Sequence, residues 1–195
     1  MIGTFRIVGY VIASADGRIA DASSHMPASL KLEADVRFFE TGLDHVDAVV
    51  HGRHSHEGHP NSAARKRLIL THRVPDLARD RANPKAWLWN PAGASFEEAC
   101  GALGLSSGTV AVIGGPLVYT LFLKHGYDCF HLSRAVNVYI PDGLPVFIRE
   151  AHGGEPEAAL SAAGLKPSHT MWLDDEVTVT DWERDPPSPI GRGSR

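Results

Sequence analysis

The chain has 195 residues, of which 43% are hydrophobic and 22% charged, and its formal net charge is −4. These values fit one globular domain with enough apolar material for a core. They argue against a nucleic-acid or membrane partner, because the surfaces that bind these are basic and no apolar run approaches the roughly 20 residues that span a bilayer. The N-terminus has no pattern of a signal peptide, and two cysteines, Cys100 and Cys129, predict buried free thiols in a cytoplasmic protein.

Short runs rich in Val and Ile alternate with helical patterns, which predicts an α/β domain with a largely parallel sheet. The expected strands are 5–13, 46–50, 68–70, 86–89, 109–113 and 129–132. The expected helices are 32–41, ending at Gly42; a helix from the capping box at Ser95 to about Leu103; 117–125, ending at Gly126; and 156–163. A hairpin of 171–173 and 177–179 around Asp174-Asp175 completes a single domain, 1–183, and the Pro/Gly-rich residues 184–195 are expected to form a flexible tail.

Residues 111–119 form the most informative segment, because an apolar strand stops at Gly114-Gly115 and a helix follows with Pro116 in its first turn. Adjacent glycines let the backbone approach a ligand closely. The first N–H groups of a helix attract an anion, typically a phosphate. A plain tight turn has the same composition, so this junction needs support from other segments.

Two other strand ends supply that support. Gly52-Arg53-His54-Ser55 follows the second strand and combines a glycine, a fixed charge and a hydroxyl. Thr71-His72-Arg73 follows the third strand and suits a further phosphate, such as the 2′-phosphate that distinguishes NADPH from NADH, although a solvated basic turn would read the same way. Because ligands bind at the carboxyl ends of strands in such sheets, we expect the loops to face one extended phosphorylated ligand.

Several segments together resemble the dihydrofolate reductases: Met26-Pro27, Glu33-Ala34-Asp35, Phe38-Phe39 and Thr41, Gly52-Arg53-His54-Ser55, Leu70-Thr71-His72-Arg73, and residues 113–119. The turn at residues 14–20, Ser-Ala-Asp-Gly-Arg-Ile-Ala, is instead similar to the RibD C-terminal domain, the reductase domain of a bifunctional riboflavin-biosynthesis enzyme. The two families share a fold, and the resemblance covers residues 5 to 147. It implies a dihydrofolate reductase-like three-layer α/β fold, with a central, mostly parallel sheet flanked by helices and a C-terminal hairpin.

By position, the resemblance implies an NADPH site. Gly52, Arg53, His54 and Ser55 would hold the cofactor phosphates. Thr71, His72 and Arg73 would lie near the adenosine and its 2′-phosphate. The pyrophosphate and nicotinamide side would be lined by Ala13, Ile19, Ala20, Ile113, Gly114, Gly115, Leu117, Val118 and Tyr119.

The same resemblance implies a catalytic carboxylate at Asp35, a substrate-contacting hydroxyl at Ser133 and a substrate contact at Phe39. A semi-buried carboxylate can orient an amino-pyrimidine ring through paired hydrogen bonds, and it can help deliver a proton to an imine-like acceptor that gains a hydride. The alternative for Asp35 is a solvated acid that the dipole of a helix N-terminus favours.

The chain also departs from the sequence patterns of both families, so the resemblance does not decide the identity of the substrate. Ala28-Ser29 follows Met-Pro where dihydrofolate reductases have tryptophan, and Ile113 stands where the riboflavin enzyme has glutamate. We expect an NADPH-dependent reductase that acts on a ribosylated aminopyrimidine resembling 5-amino-6-(5-phosphoribosylamino)uracil, in riboflavin biosynthesis. A dihydropterin reductase and a non-catalytic NADPH-binding module are the alternatives. The sheet edge or the hairpin would allow a homodimer.

Four histidines are unusually close together, at positions 51, 54, 56 and 59. Their spacing completes no known metal site, so we expect no metal and instead a polar loop beside the cofactor.

Overall fold

The structure is a computed structural model that describes residues 4–55, 61–148 and 155–185. Its strands are β1 Phe5–Ser14, β2 Arg18–Ala20, β3 Ala48–Gly52, β4 Arg67–Leu70, β5 Leu77–Arg79, β6 Ala86–Trp89, β7 Gly108–Val112, β8 Cys129–Ala135, β9 Leu144–Pro145, β10 Leu165–Trp172 and β11 Val177–Arg184. Its helices are α1 Glu33–Leu43, α2 Phe96–Ala102, α3 Pro116–His125 and α4 Pro156–Ala162. Single 3₁₀ turns occupy Ala28–Leu30 and Ser62–Ala64.

A nine-stranded sheet in the order β10-β11-β8-β1-β7-β3-β4-β6-β5 forms the centre of the molecule. Every neighbouring pair from β8 to β6 is parallel. The hairpin of β10 and β11 at one end, and β5 at the other, run antiparallel to their neighbours. The predicted mostly parallel sheet with a C-terminal hairpin is therefore confirmed.

Alternating side chains of β1 bury both faces of the sheet, which explains its continuous apolar sequence. Phe5, Ile7, Val11 and Ala13 join the larger core, together with residues of α2, α3 and α4. Val8 and Tyr10 point to the opposite face, where α1 covers them. These two packed faces produce the three layers that the sequence predicts.

The structure confirms the predicted signals at the start of α2 and at the end of α3. The Ser95 hydroxyl accepts a hydrogen bond from the Glu98 N–H and the Glu98 carboxylate accepts one from the Ser95 N–H, so the capping box of α2 is confirmed. Gly126 follows α3 with φ of 100°, a conformation that glycine tolerates.

The predicted helix end at Gly42 is wrong, because α1 continues to Leu43. A Cβ atom at Gly42 would lie 2.6 Å from the Tyr10 hydroxyl oxygen, so this glycine allows α1 to pack closely on β1. The hairpin strands are also longer than predicted, and Arg184, which the sequence places in the tail, belongs to β11. Residues 186–195 lie outside the described ranges, so the division into a domain and a tail stays a prediction.

Candidate active site

The ladder between β1 and β7 ends before the carboxyl edge of the sheet, and we call the region between the two strands beyond that point the crevice. β1 pairs with β8 as far as Ser14, but its pairing with β7 ends at Gly9 and Val112. The chain runs from β1 to β3 on one side, and from β7 to β8 on the other. In open α/β sheets, ligands bind at the point where the connections from neighbouring strands lead in opposite directions.

The two predicted glycine loops meet beside this crevice. The Gly52 N–H donates a hydrogen bond to the Gly114 carbonyl oxygen at 2.9 Å. Gly114 has φ of 140°, its peptide bond to Gly115 is cis, and a Cβ atom on it would lie 3.2 Å from the Ser55 hydroxyl oxygen. The structure therefore brings Gly52, Ser55, Gly114 and Gly115 together in a cradle of closely packed backbone, which we call the glycine cradle.

Residues 52–55 form a turn, closed by a hydrogen bond from the Ser55 N–H to the Gly52 carbonyl oxygen at 3.0 Å. Arg53 and His54 extend from this turn and contact each other, with 2.9 Å between the guanidinium and the imidazole Nε2. Residues 56–60, which include His56 and His59, lie outside the described ranges.

The predicted adenosine loop lies one strand farther from the crevice, after β4. Thr71 is buried and its N–H donates to the Trp89 carbonyl oxygen, while its hydroxyl oxygen accepts a hydrogen bond from the Arg73 N–H at 3.2 Å. The side chains of His72 and Arg73 are exposed. This arrangement presents a cation to solvent on the same edge as the glycine cradle.

Some residues predicted for the nicotinamide side are buried near β1 and the larger core, whereas others are exposed or pack on the α1 face. Ala13, Ala20 and Val118 are buried, and a Cβ atom on Gly52 would lie 3.4 Å from the Val118 methyl group. Ile19 packs on the larger core. By contrast, Leu117 is 70% exposed, and the side chain of Ile113 packs on the α1 face with Phe38 and Phe39.

Tyr119 connects the glycine cradle to β1. Its N–H donates to the Gly115 carbonyl oxygen at 3.0 Å, and its hydroxyl donates to the Tyr10 carbonyl oxygen at 2.6 Å. Tyr10 lies just past the end of the β1–β7 pairing, so the phenol satisfies a carbonyl group where the ladder stops. The sequence predicted only that Tyr119 lines the crevice, since a single tyrosine on a helix gives no signal of such a long-range bond.

Asp35 and Ser133 form a buried polar pair on the α1 face. Asp35 lies in the first turn of α1 and is 8% exposed, and Ser133, in β8, is 2% exposed. Burial raises the pKa of the Asp35 carboxyl to about 6, while a hydrogen bond from the Ser133 hydroxyl acts in the opposite direction. The carboxyl group is thus not a solvated helix-end acid, and it can change protonation state near neutral pH.

Phe39 lies one turn after Asp35 on α1. Its ring packs edge-on against Tyr10, with 6.1 Å between the ring centroids, and it remains only partly buried. Packing explains this residue, and its contact with a substrate stays a prediction.

Other predicted features are placed as follows. Cys100 and Cys129 are buried free thiols, as predicted, and burial raises the pKa of each to about 12. His51 is buried, and its Nδ1 lies 2.8 Å from the Gly52 carbonyl oxygen. Across the described ranges, no three His, Cys, Asp or Glu residues are grouped for a metal ion, and no helix is long and apolar enough to cross a membrane.

This geometry defines a dihydrofolate reductase-like fold, and solved structures agree. A protein assigned to riboflavin biosynthesis from Shewanella sp. PV-4 matches with a TM-score of 0.64 and 18% identity, over 93% of this chain and 99% of its own. Dihydrofolate reductase from Enterococcus faecalis, in a complex with NADP(H) and RAB-propyl, matches with a TM-score of 0.62 and 17% identity, over 93% of this chain and 97% of its own.

A third similar structure is the diaminohydroxyphosphoribosylaminopyrimidine deaminase/5-amino-6-(5-phosphoribosylamino)uracil reductase from Thermotoga maritima, with a TM-score of 0.60 and 16% identity. The match covers 92% of this chain but 56% of that protein. No protein-family model and no curated protein matches the sequence. The likeness therefore establishes the fold, which is the one the sequence resemblance implied.

Proposed function

We propose that this protein is a cytoplasmic NADPH-dependent reductase that reduces a ribosylated aminopyrimidine, as in riboflavin biosynthesis. The observation that carries the proposal is the buried Asp35–Ser133 pair on the edge of the sheet that also holds the glycine cradle. A carboxyl group with a raised pKa near a crevice is a candidate for proton transfer. The similar solved structures, two with riboflavin-biosynthesis names and one with NADP(H), support the same class of reaction.

The glycine cradle fits a dinucleotide phosphate. Side chains at Gly114 or Gly115 would fill the space in front of the Ser55 hydroxyl, so their absence leaves room for a ligand to approach the backbone. Gly115 precedes α3, where Pro116 has no N–H and the Val118 N–H donates to the Gly115 carbonyl oxygen at 2.9 Å, so the Leu117 N–H would be the backbone donor for a phosphate. Arg53 and the exposed Arg73 would neutralise the phosphate charges.

Asp35 would supply the proton that the reduction requires. Reduction of a C=N bond adds a hydride to carbon, which NADPH would provide when bound, and a proton to nitrogen. In its neutral form Asp35 can donate that proton, and in its ionised form it can accept hydrogen bonds from an amino-pyrimidine ring. A hydrogen bond from the Ser133 hydroxyl would orient the carboxyl group for these roles.

A dihydropterin substrate is the second candidate. The carboxyl group in the first turn of α1 and the aromatic ring of Phe39 one turn later suit a flat amino-substituted ring. The turn at residues 14–20 favours the aminopyrimidine, because this segment is the one that is similar to the RibD C-terminal domain.

The decisive experiment measures NADPH oxidation with a panel of dihydropterins and ribosylated aminopyrimidine phosphates, together with melting temperatures in NADPH and in NADH. We expect oxidation with the aminopyrimidine phosphate and a larger thermal shift with NADPH, since ligands stabilise the state they bind. Oxidation with pterins alone would establish the second candidate. A shift without any oxidation would instead indicate a non-catalytic module, and equal shifts would rule out recognition of the 2′-phosphate.

A further inference from the structure

A cavity lies at the end of the sheet that β4, β6 and β5 form, beside the C-terminus of α2. Its volume is about 420 Å³, within the range of about 300–1,000 Å³ that is typical of small-molecule sites. Three cations, Lys66, Arg79 and Lys85, line it together with Trp87, and the remaining lining residues have no polar side chain. We call it the basic cavity. This concentration of positive charge stands in a chain whose formal net charge is −4.

The three cations reach the basic cavity from neighbouring strands. Arg79 of β5 lies opposite Trp87 of β6, and Trp87 lies opposite Leu68 of β4, so these residues share a face of the sheet. Lys66 precedes Leu68 by two residues, and Lys85 precedes Trp87 by two, so alternation places both lysines on that face. The Arg79 guanidinium lies 4.9 Å from the centroid of the Trp87 ring. Strand register therefore brings these groups together.

The side chains that line the basic cavity can donate hydrogen bonds but cannot accept them. Ammonium, guanidinium and indole groups have donors only. The Lys85 Nζ donates to the Ala64 carbonyl oxygen at 3.0 Å. Within residues 4–55, 61–148 and 155–185, none of the three cations forms an ion pair with a carboxylate. Cations that converge without counter-charges repel one another, so an anion with several acceptor atoms would stabilise this arrangement.

The C-terminus of α2 does not account for these cations. The end of a helix attracts positive charge because its last carbonyl groups lack partners within the helix. Here the Cys100 carbonyl oxygen accepts hydrogen bonds from the N–H groups of Leu103 and Leu105. The Gly101 carbonyl oxygen accepts one from the Gly104 N–H. Backbone groups thus already satisfy these two carbonyl groups, and the cations of the cavity are left for another ligand.

The basic cavity is also separate from the predicted cofactor site. Lys66 lies at the amino end of β4, whereas Thr71 follows its carboxyl end and belongs to the predicted adenosine loop. Five residues of extended strand separate the two by roughly 16 Å. An anion in the basic cavity would therefore leave the glycine cradle unoccupied.

We propose that the basic cavity binds a molecule with two or more linked phosphate groups. Phosphate oxygens accept several hydrogen bonds each, and their charge matches three converging cations. Trp87, Ala102 and Leu103 supply apolar surface beside the cations that an organic group could contact. An inorganic polyphosphate and a nucleotide share this chemistry, and the experiments below tell them apart.

Isothermal titration calorimetry of the full chain with tripolyphosphate tests the proposal. We expect the wild type to bind and Lys66→Gln/Lys85→Gln to bind about tenfold more weakly or worse, because two charged hydrogen-bond donors are lost. Arg53→Gln/Arg73→Gln removes two cations of the predicted cofactor site instead, and it should bind like the wild type. No NADPH is present, so the result is independent of the proposed reductase activity.

A second double variant controls for non-specific attraction. Lys31→Gln/Lys124→Gln removes the same charge at two exposed positions elsewhere, and its affinity should equal that of the wild type. An equal loss in this variant, or a wild type that does not bind tripolyphosphate, would overturn the proposal. A loss in Arg53→Gln/Arg73→Gln without one in Lys66→Gln/Lys85→Gln would assign the anion to the glycine cradle, with the same consequence.

The indole N–H of Trp87 locates the ligand directly. The chain has four tryptophans, so its nitrogen–proton NMR spectrum has four indole signals, and Trp87→Phe identifies the one that belongs to Trp87. This signal should move most as tripolyphosphate is added, and a Trp87 signal that stays in place while the anion binds would contradict the proposal.

ATP identifies the source of the phosphate groups. The titration uses Arg53→Gln/Arg73→Gln protein, in which the predicted cofactor site is weakened. Tighter binding of ATP than of tripolyphosphate would assign the basic cavity to a nucleotide, and equal or weaker binding would assign it to an inorganic chain. Either ratio upholds a phosphate site, provided that Lys66→Gln/Lys85→Gln added to this protein weakens both ligands. Unchanged binding of both ligands would overturn it.

Discussion

The two parts of the candidate site lie on one edge of one sheet but are built from different groups. One consists of buried polar side chains, and the other of backbone groups and exposed charge. Between α1 and β8, Asp35 and Ser133 are buried side chains, and the pKa of the carboxyl group is raised. At the ends of β3, β4 and β7, the surface consists of backbone groups, glycines and the exposed Arg73. The first part has a reactive group and destabilises the fold when that group ionises. The second would bind a ligand by shape and charge, without a buried ionisable side chain.

The largest effect should follow removal of the acid. Asp35→Asn keeps the shape and the hydrogen bond to Ser133 but cannot donate a proton, so turnover should fall by about 10²- to 10⁴-fold. The thermal shift caused by NADPH should remain, because the glycine cradle is unchanged. Steady-state kinetics and melting curves on the same samples measure both quantities. Turnover equal to the wild type would remove Asp35 from the mechanism.

The second effect concerns stability and pH. Burial raises the pKa of Asp35 from 3.8 to about 6, so between these values the folded protein binds more protons than the unfolded chain. Stability therefore falls as pH rises through this window and stays lower above it. At pH 8 this corresponds to about 3 kcal/mol, at 1.36 kcal/mol per pKa unit.

Urea unfolding of Asp35→Asn and the wild type checks this contribution. The variant should be more stable than the wild type at pH 8, while at pH 4 the two should nearly coincide. A stability difference that is the same at both pH values would show that Asp35 ionises normally in the folded protein.

The third effect concerns the glycine cradle. Gly114→Ala introduces a side chain at φ of 140° and 3.2 Å from the Ser55 hydroxyl oxygen. We expect a loss of about 1–3 kcal/mol in stability and a weakening of NADPH binding, measured by fluorescence titration. Gly101→Ala is the matched control, since it lies in α2 and the added Cβ would have no described atom within 4 Å apart from its chain neighbours and the backbone of its own helix, and it should be neutral or stabilising. Unchanged NADPH affinity in Gly114→Ala would contradict a cofactor role for the cradle.

The smallest effect is expected at the exposed cation. Arg73→Gln should lower the ratio of NADPH to NADH affinity by about tenfold at low salt, because one charged hydrogen bond to the 2′-phosphate is lost. Added salt should reduce the difference, since exposed charges are screened. Arg81→Gln, which removes another exposed arginine, serves as the control. Equal ratios in all three proteins would show that Arg73 does not contact the 2′-phosphate.

Short-range signals predicted much of this fold. The strand at Ala86–Trp89 has the predicted bounds, and the Ser95 capping box begins α2 as expected. The length of β10 was missed because both of its faces are exposed, so its sequence has no apolar alternation to reveal a strand. Gly42 was misread as a stop because its packing partner, Tyr10, is distant in the sequence.

In the candidate site, too, local features could be predicted from the sequence, whereas long-range contacts could not. The glycine junction at Gly114-Gly115 could be predicted because strand, glycines and helix follow one another within a few residues. The separate roles of Asp35 and Ser133 came only from the family resemblance, and their pairing was not predicted, because the two residues lie far apart in the chain and neither has a local signal. The raised pKa of Asp35 depends on burial between α1 and β8, which only the three-dimensional packing shows.

The two hydrogen bonds of Tyr119 join the start of α3 to β1 through one rigid side chain. The N–H donates to the Gly115 carbonyl oxygen and the hydroxyl donates to the Tyr10 carbonyl oxygen. Its main-chain oxygen accepts a third bond, from the Tyr127 hydroxyl at 3.2 Å, which anchors the side chain's base. Loss of this one side chain would therefore release the start of α3 from β1 and disturb the glycine cradle at the same time.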